Sequence, residues 1–313
     1  VFNMPPASRV TPLGEPGLGV VVEGAIHAWT QRPAKIFEAA DTALRVERWR
    51  TKGATKDRLP LFERATDRRY FIDAFNVGKG ALDIAAKGSA PWIRIEREAK
   101  PGGDQRLWVS IDWSKLKAGA SAAGTVTVSA AGASRSIAVE ARNVAAPKGM
   151  LVEDNRIIAF NAGRYAVAQP GWQRMPDLGR SGHAIATSLE LPSAADPAKT
   201  PYVEYRFRTT SSGAAKLRAT LLPSFALSAE NKLRYGVSID GGPITVVDAD
   251  KRDWGDGVER NAMTSVTDWT IASAGEHRLR VYALDPGVVL DSFVIDFGGL
   301  ARSYLAPPET IAR

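Results

Sequence analysis

Residues His277 to Glu309 read HRLRVYALDPGVVLDSFVIDFGGLARSYLAPPE, and this stretch decides the fold. Arg278 to Leu284 alternates in side-chain type, as a half-buried strand does. At Asp285-Pro286-Gly287 the pattern breaks: proline presets φ for a turn, and glycine tolerates positive φ. Val288 to Phe297 then alternates again. Two alternating runs around a turn predict a closing β-hairpin, and therefore a β-rich chain.

Working backwards, short alternating runs recur about every ten residues: Ile157–Phe160, Arg164–Ala168, His183–Leu189, Tyr202–Thr209, Ala214–Leu221, Arg234–Ile239, Thr245–Val247 and Ser265–Ile271. That spacing predicts a jelly-roll-like sandwich. Asn143 to Gly149 (NVAAPKG) reads as a linker. Before it lie Tyr70–Asn76, Ala81–Lys87, Trp92–Ile95, Arg106–Trp113, Thr125–Ser129 and Ser134–Val139. Glycine-containing turns separate them, which suits a small immunoglobulin-like sandwich with Trp92, Trp108 and Trp113 available for its core. Residues 1–69 read differently. Pro5, Pro6, Pro12, Pro16 and Pro33 mark extended connections, and Ala34 to Arg50 carries Ile36, Ala40, Ala43 and Val46 at helical spacing. The expected fold is mainly β: an irregular segment over 1–69, an immunoglobulin-like β-sandwich over 70–145, and a jelly-roll-like β-sandwich over 150–313.

Composition narrows the functional classes. A chain of 313 residues with 44% hydrophobic and 24% charged side chains is ordinary for a globular protein. No apolar run approaches the roughly 18 to 20 residues that a membrane helix needs. Val1 is not an initiator methionine, and no basic-then-apolar leader follows it, so the chain is expected to start within something longer or after processing. Cysteine is absent, which excludes disulfides, thiolate metal sites and a cysteine nucleophile. The net charge of +7 invites a polyanion reading. The only dense basic run, however, is Arg45, Arg48, Arg50, Lys52, Lys56 and Arg58, and no nucleic-acid motif accompanies it. A solvated basic face is the better reading, with no nucleic-acid partner.

Three blocks of the opening stretch, DPGVVL, IDFGGL and SYLAPPE, together resemble the carboxy-terminal end of glycoside hydrolase family 115, the xylan α-1,2-glucuronidases. Trp172–Pro176 with Asp177–Gly182 (DLGRSG), Leu233–Asp240 (LRYGVSID), Tyr70–Asn76 and Leu18–Gly24 extend the resemblance over most of the chain. It implies carboxylic catalysis, with inversion, by a pair some 6.5–9.5 Å apart so that a water fits between base and sugar. In the family that pair belongs to an upstream barrel, which needs about 200 residues or more. No alternating strand–helix pattern supplies a barrel here, so no catalytic residue is assigned. The partners implied are that barrel in the same protein, glucuronoxylan oligosaccharides, and a second copy in a homodimer. The expected location is periplasmic or secreted, in a bacterium.

Read for their own chemistry, the remaining candidates are modest. Gly179-Arg-Ser-Gly-His183 lacks the final glycine of a G-x-S-x-G elbow and reads as a turn before a strand. His27, His183 and His277 have no metal-ligand spacing. Asp248, Asp250, Asp253 and Asp256 could supply calcium oxygens, but their spacing departs from a calcium loop and Lys251 and Arg252 neutralise them. No metal or other cofactor is expected. Trp254, in the loop from Asp248 to Asn261, has the composition of a sugar platform, with Asn261 for hydroxyls and Arg180 for a uronate carboxylate. Anchoring of that loop outweighs sugar contact for Trp254. The leading reading is the buttressing β-sandwich portion of a xylan α-glucuronidase. Its rivals are a free-standing xylan-binding module and a structural sandwich without ligand.

Overall fold

The computed structural model describes residues 14–23, 57–100, 103–227, 232–249, 254–301 and 306–313. The helix expected over Ala34–Arg50 and the basic run up to Lys56 lie outside them. The chain divides into two compact units, Val1–Ala145 and Ala146–Arg313, each with its own hydrophobic core.

The first unit contains β1 (Leu18–Val22), β2 (Phe62–Glu63), β3 (Tyr70–Asn76) and β4 (Ala85–Gly88). It continues with β5 (Ile93–Ala99), β6 (Gln105–Ile111), β7 (Ser121–Ala130) and β8 (Ala133–Arg142). These form two sheets, ordered β1-β3-β6-β5 and β2-β8-β7-β4. Alternation decides which residues meet: Ile72, Ala74, Leu107 and Val109 from one sheet and Val126, Val128, Ile137 and Val139 from the other are buried. β7 and β8, rich in alanine, form a hairpin. Its two-residue turn places Ala131 at φ 49 and Gly132 at φ 73, the pair of positive values that matches the twist of the flanking strands.

Two sequence expectations change here. Residues 14–23 and 57–69, read as irregular, supply β1 and β2 to the two sheets, and Leu59 and Phe62 are among the deepest side chains of the unit. Trp92 and Trp113 join the core as expected, but Trp108 does not. With Leu107 and Val109 facing inward, period 2 turns Trp108 to the outer face. There Arg69 stacks over it at 4.2 Å.

The second unit begins with β9 (Leu151–Val152), β10 (Ile157–Asn161), β11 (Val167–Ala168), β12 (Trp172–Pro176) and β13 (His183–Thr187). Then come β14 (Tyr202–Thr209), β15 (Gly213–Leu221), β16 (Arg234–Ile239) and β17 (Thr245–Asp248). A short helix α1 (Trp254–Glu259) precedes β18 (Met263–Ile271), β19 (Gly275–Ala283) and β20 (Val289–Asp296). One sheet runs β12-β13-β20-β15-β18, with β10 also on β20. The other runs β11-β14-β19-β16-β17, with β9 also on β14. Ile158, Phe160, Leu217, Phe293 and Ile295 from the first pack with Val203, Tyr205, Phe207, Val237 and Val281 from the second. Buried hydroxyls are satisfied: Tyr205 donates to the Ala162 carbonyl at 2.7 Å, and Tyr235 bonds Ser265.

The expected closing hairpin is not one. β19 pairs with β14 and β16, whereas β20 pairs with β10, β13 and β15. The Asp285-Pro286-Gly287 turn therefore carries the chain from one sheet to the other. Turn chemistry is common to both geometries. The difference is that Leu284 and Val288, at 1% exposure each, enter the core on either side of the turn. Among the described residues, no helix is long and apolar enough to cross a membrane.

Candidate functional site

Asp285, Asp291 and Glu309 act as fasteners. Asp285 is fully buried and takes a two-pronged contact from Arg234, Nε to Oδ2 at 2.7 Å and Nη2 to Oδ1 at 2.9 Å. Arg234 also donates its backbone N–H to Oδ2 at 2.8 Å. Burial alone would raise the Asp285 carboxyl, but Arg234 and Ser193 outweigh it and hold it below the usual carboxylate range. Asp291, 1% exposed, accepts the Ser181 hydroxyl at 2.8 Å and the Ser181 N–H at 3.2 Å. Glu309 accepts from Asn161 and, through both oxygens, from Arg164. Burial opposes ionisation there too, and Arg164 again wins, lowering the carboxyl.

So the DLGRSG turn wraps Asp291 of the VVLDSF strand, and the LRYGVSID strand grips the DPG turn. Gly179 makes the first contact possible. Its φ is +80, and a Cβ there would stand 2.2 Å from Asp291 Oδ1. Ser181, the would-be nucleophile, is consumed by this brace, and His183 uses its backbone N–H on the Ser181 hydroxyl at 3.1 Å.

The residues proposed for sugar contact are dispersed. Arg180 is exposed in the β12–β13 turn. Trp254 opens α1, and its side chain lies outside the described part. Asn261 follows α1 at φ 49, its N–H on the Val258 carbonyl at 3.1 Å. The register aligns Ile185, Leu290, Leu221 and Met263 across the sheet. Asn261 lies two residues beyond that line on the β18 side. Arg180 lies five residues beyond it in the other direction, before β13. With β20 and β15 between β13 and β18, and strands about 4.8 Å apart, the topology does not bring Arg180 to Asn261. Of the acidic cluster, Asp250 and Asp253 lie outside the described residues, and Asp248 pairs in register with Arg234. Among the described residues, no group of three or more His, Cys, Asp or Glu is placed to hold a metal. His277 is buried, with Nδ1 on Asp240 at 2.7 Å and Nε2 on the Ser273 carbonyl at 3.0 Å.

What the sequence reading missed is the outward face of β14 and β19. Inward-facing Val203, Tyr205 and Phe207 leave Tyr202, Glu204, Arg206 and Arg208 on the other side, and β19 likewise sets Glu276, Arg278, Arg280 and Tyr282 there. The register sets Tyr202 opposite Tyr282, Glu204 opposite Arg280, and Arg206 opposite Arg278. Glu204 accepts from Arg280 at 3.0 Å and from Arg206 at 3.4 Å, and the Glu204 bond raises Arg280 above its ordinary value. Arg280 lies over the Tyr202 ring at 4.5 Å, and the Tyr202 and Tyr282 rings are 5.7 Å apart. The signal was legible in principle: RFR at 206–208 and RLR at 278–280 place arginine at alternate positions on two strands.

Residues 150–309, just over half of the chain, match the glycosyl hydrolase family 115 C-terminal domain. The chain belongs to glycosyl hydrolase family 115. One similar solved structure is BtGH115A, a family 115 4-O-methyl-α-glucuronidase with specificity for decorated arabinogalactans, at 21% identity and TM-score 0.38. The match covers 50% of this family 115 chain and 19% of that one. A second is the C-terminal family 6 carbohydrate-binding module of LamC from Zobellia galactanivorans, at 14% identity and TM-score 0.31, covering 45% of this chain and 98% of the module. A third is a family 35 carbohydrate-binding module from Clostridium thermocellum, at 12% identity and TM-score 0.34, covering 44% and 97%. Among curated proteins, none matches this sequence. The family 115 match begins at the second unit and takes in Ser181, Arg234, Asp285, Asp291 and Glu309.

Proposed function

We propose that this family 115 chain is the non-catalytic, buttressing β-sandwich portion of an α-1,2-glucuronidase that releases (4-O-methyl)glucuronic acid from glucuronoxylan. The catalytic carboxylates then belong to a barrel elsewhere in the same protein, and xylan as a polymer outside cells makes the enzyme periplasmic or secreted. One observation carries the reading. Asp285, Asp291 and Glu309 are each engaged by donors of the fold itself. An inverting pair needs one protonated and one ionised carboxyl facing a water, whereas Asp285 and Glu309 are lowered and held by arginines.

The experiment compares the whole enzyme with the 313-residue chain on glucuronoxylan, following released uronic acid. Release by the whole enzyme alone is expected. Turnover by the chain that disappears when one of its own Asp or Glu residues is replaced would overturn the proposal. A second reading, a xylan-binding module, is favoured by the tyrosines and arginines on the β14–β19 face.

A further inference from the structure

We propose that the outward face of β14 and β19 binds the carboxylates of an acidic glycan, with Arg206 and Arg278 as its clamp. Directly opposed residues on antiparallel strands stand with their Cβ atoms about 5 Å apart, and like charges at that spacing destabilise the pair. Among the described residues, Arg206 is 64% exposed and has Glu204 as its one ion-pair partner, which it shares with Arg280. Among the described residues, Arg278 is engaged through its backbone alone, its N–H donating to Asp240 Oδ1 at 2.8 Å and its carbonyl accepting the Asp240 N–H at 2.9 Å. The guanidinium is left to solvent. A carboxylate entering between the two arginines removes their repulsion and accepts charge-assisted hydrogen bonds from both.

The rows beside the clamp complete the face. Arg280 is already neutralised by Glu204 and stacked on Tyr202, so it fixes the platform and leaves the clamp positive. Tyr202, half-buried and backed by the Tyr282 ring, offers a ring edge and a hydroxyl four residues along the strand from Arg206. A neighbouring sugar of the same polymer can lie there. Carboxylates carried at intervals on a sugar chain suit this arrangement of a cationic row and an aromatic row with the neutralised Glu204–Arg280 row between them. The choice of glucuronoxylan as that polymer rests on the function proposed above.

The test is affinity electrophoresis of the 313-residue chain in gels holding 4-O-methylglucuronoxylan, its carboxyl-reduced form, polygalacturonate or polyaspartate. Glucuronoxylan is expected to retard the chain, and the carboxyl-reduced polymer to lose most of that effect. Arg206→Ala with Arg278→Ala should weaken retention roughly tenfold or more. Arg97→Ala with Arg135→Ala, which removes the same charge from exposed positions of the first unit, should not. Thermal melting serves as the folding control, and Arg278→Gln alone is the milder variant. Equal retention of the carboxyl-reduced polymer, unchanged retention by the double variant, or equal retention by polyaspartate would overturn the proposal. Retention by polygalacturonate but not glucuronoxylan would keep the clamp and remove the xylan assignment. No retention, alongside uronic acid release by the whole enzyme, would remove the clamp and keep the function.

Discussion

Arg234 and Asp285 are separated by 51 positions in the chain and joined by four hydrogen bonds, three to the Asp285 carboxylate and one from its backbone N–H to the Arg234 carbonyl, with the Asp285 side chain wholly out of solvent. Arg234 opens β16 in one sheet. Asp285 opens the link toward β20 in the other. The pair therefore locks the point where the chain leaves one sheet for its partner, and Arg234 also reaches the Ala194 carbonyl at 3.1 Å.

Arg234→Ala leaves a buried carboxylate without its counter-charge, and about 3–5 kcal/mol of stability should be lost in urea denaturation. Replacing both partners together, Arg234→Met with Asp285→Leu, should cost far less than the sum of the single changes. Additive losses would show that the two residues act independently.

Stability should also fall in acid. The Asp285 and Glu309 carboxyls are held below their ordinary values in the folded chain, so folding favours their ionised forms. Their contribution is complete above the unfolded carboxylate range, about pH 4, and drains away as pH drops through the folded values. Asp285→Asn should flatten the dependence of the melting temperature on pH between about 5 and 2. A slope equal to that of the parent chain would refute this.

Two glycines of one turn separate strain from collision. Gly182 sits at φ +69, and a Cβ there would meet nothing within 4 Å, whereas Gly179 sits at φ +80 with Asp291 Oδ1 at 2.2 Å from the same added atom. Gly182→Ala should cost about 1–2 kcal/mol, the backbone effect alone. Gly179→Ala adds a collision with a buried carboxylate and should cost distinctly more. Similar melting shifts for the two variants would argue that the DLGRSG turn moves off Asp291 freely.

Because the second unit has its own closed set of core residues, residues 146–313 expressed alone should unfold in one cooperative transition. A broad transition with dye-binding apolar surface would contradict that.

Much of this architecture was legible from alternation and turns. Tyr202–Thr209 and Arg234–Ile239 are strands with the bounds that their sequences suggest. Alternation reports a strand's two faces but not the sheet it joins, which is why Arg278–Leu284 and Val288–Phe297 read as a hairpin. The turn at Asp285 has the same residues whether the chain doubles back or crosses over. Trp108 was misplaced by its size, although Leu107 and Val109 already fixed its direction. The candidate face was hidden for a related reason. Arg206 and Arg278 are 72 positions apart, and only the register of β14 on β19 shows that they oppose one another.

The crossover also sets an order of events as the polypeptide emerges. β19 is the middle strand of one sheet and β20 the middle strand of the other, yet in sequence they follow every other strand of the unit. Until they arrive, β14 and β16 have no strand to join them, and neither do β13 and β15. The nascent unit is therefore four half-sheets with open edges, closed late by contacts of long sequence separation, which are slow to form. That interval is when mispairing with another chain is most accessible, and slower synthesis upstream of Gly275 lengthens it.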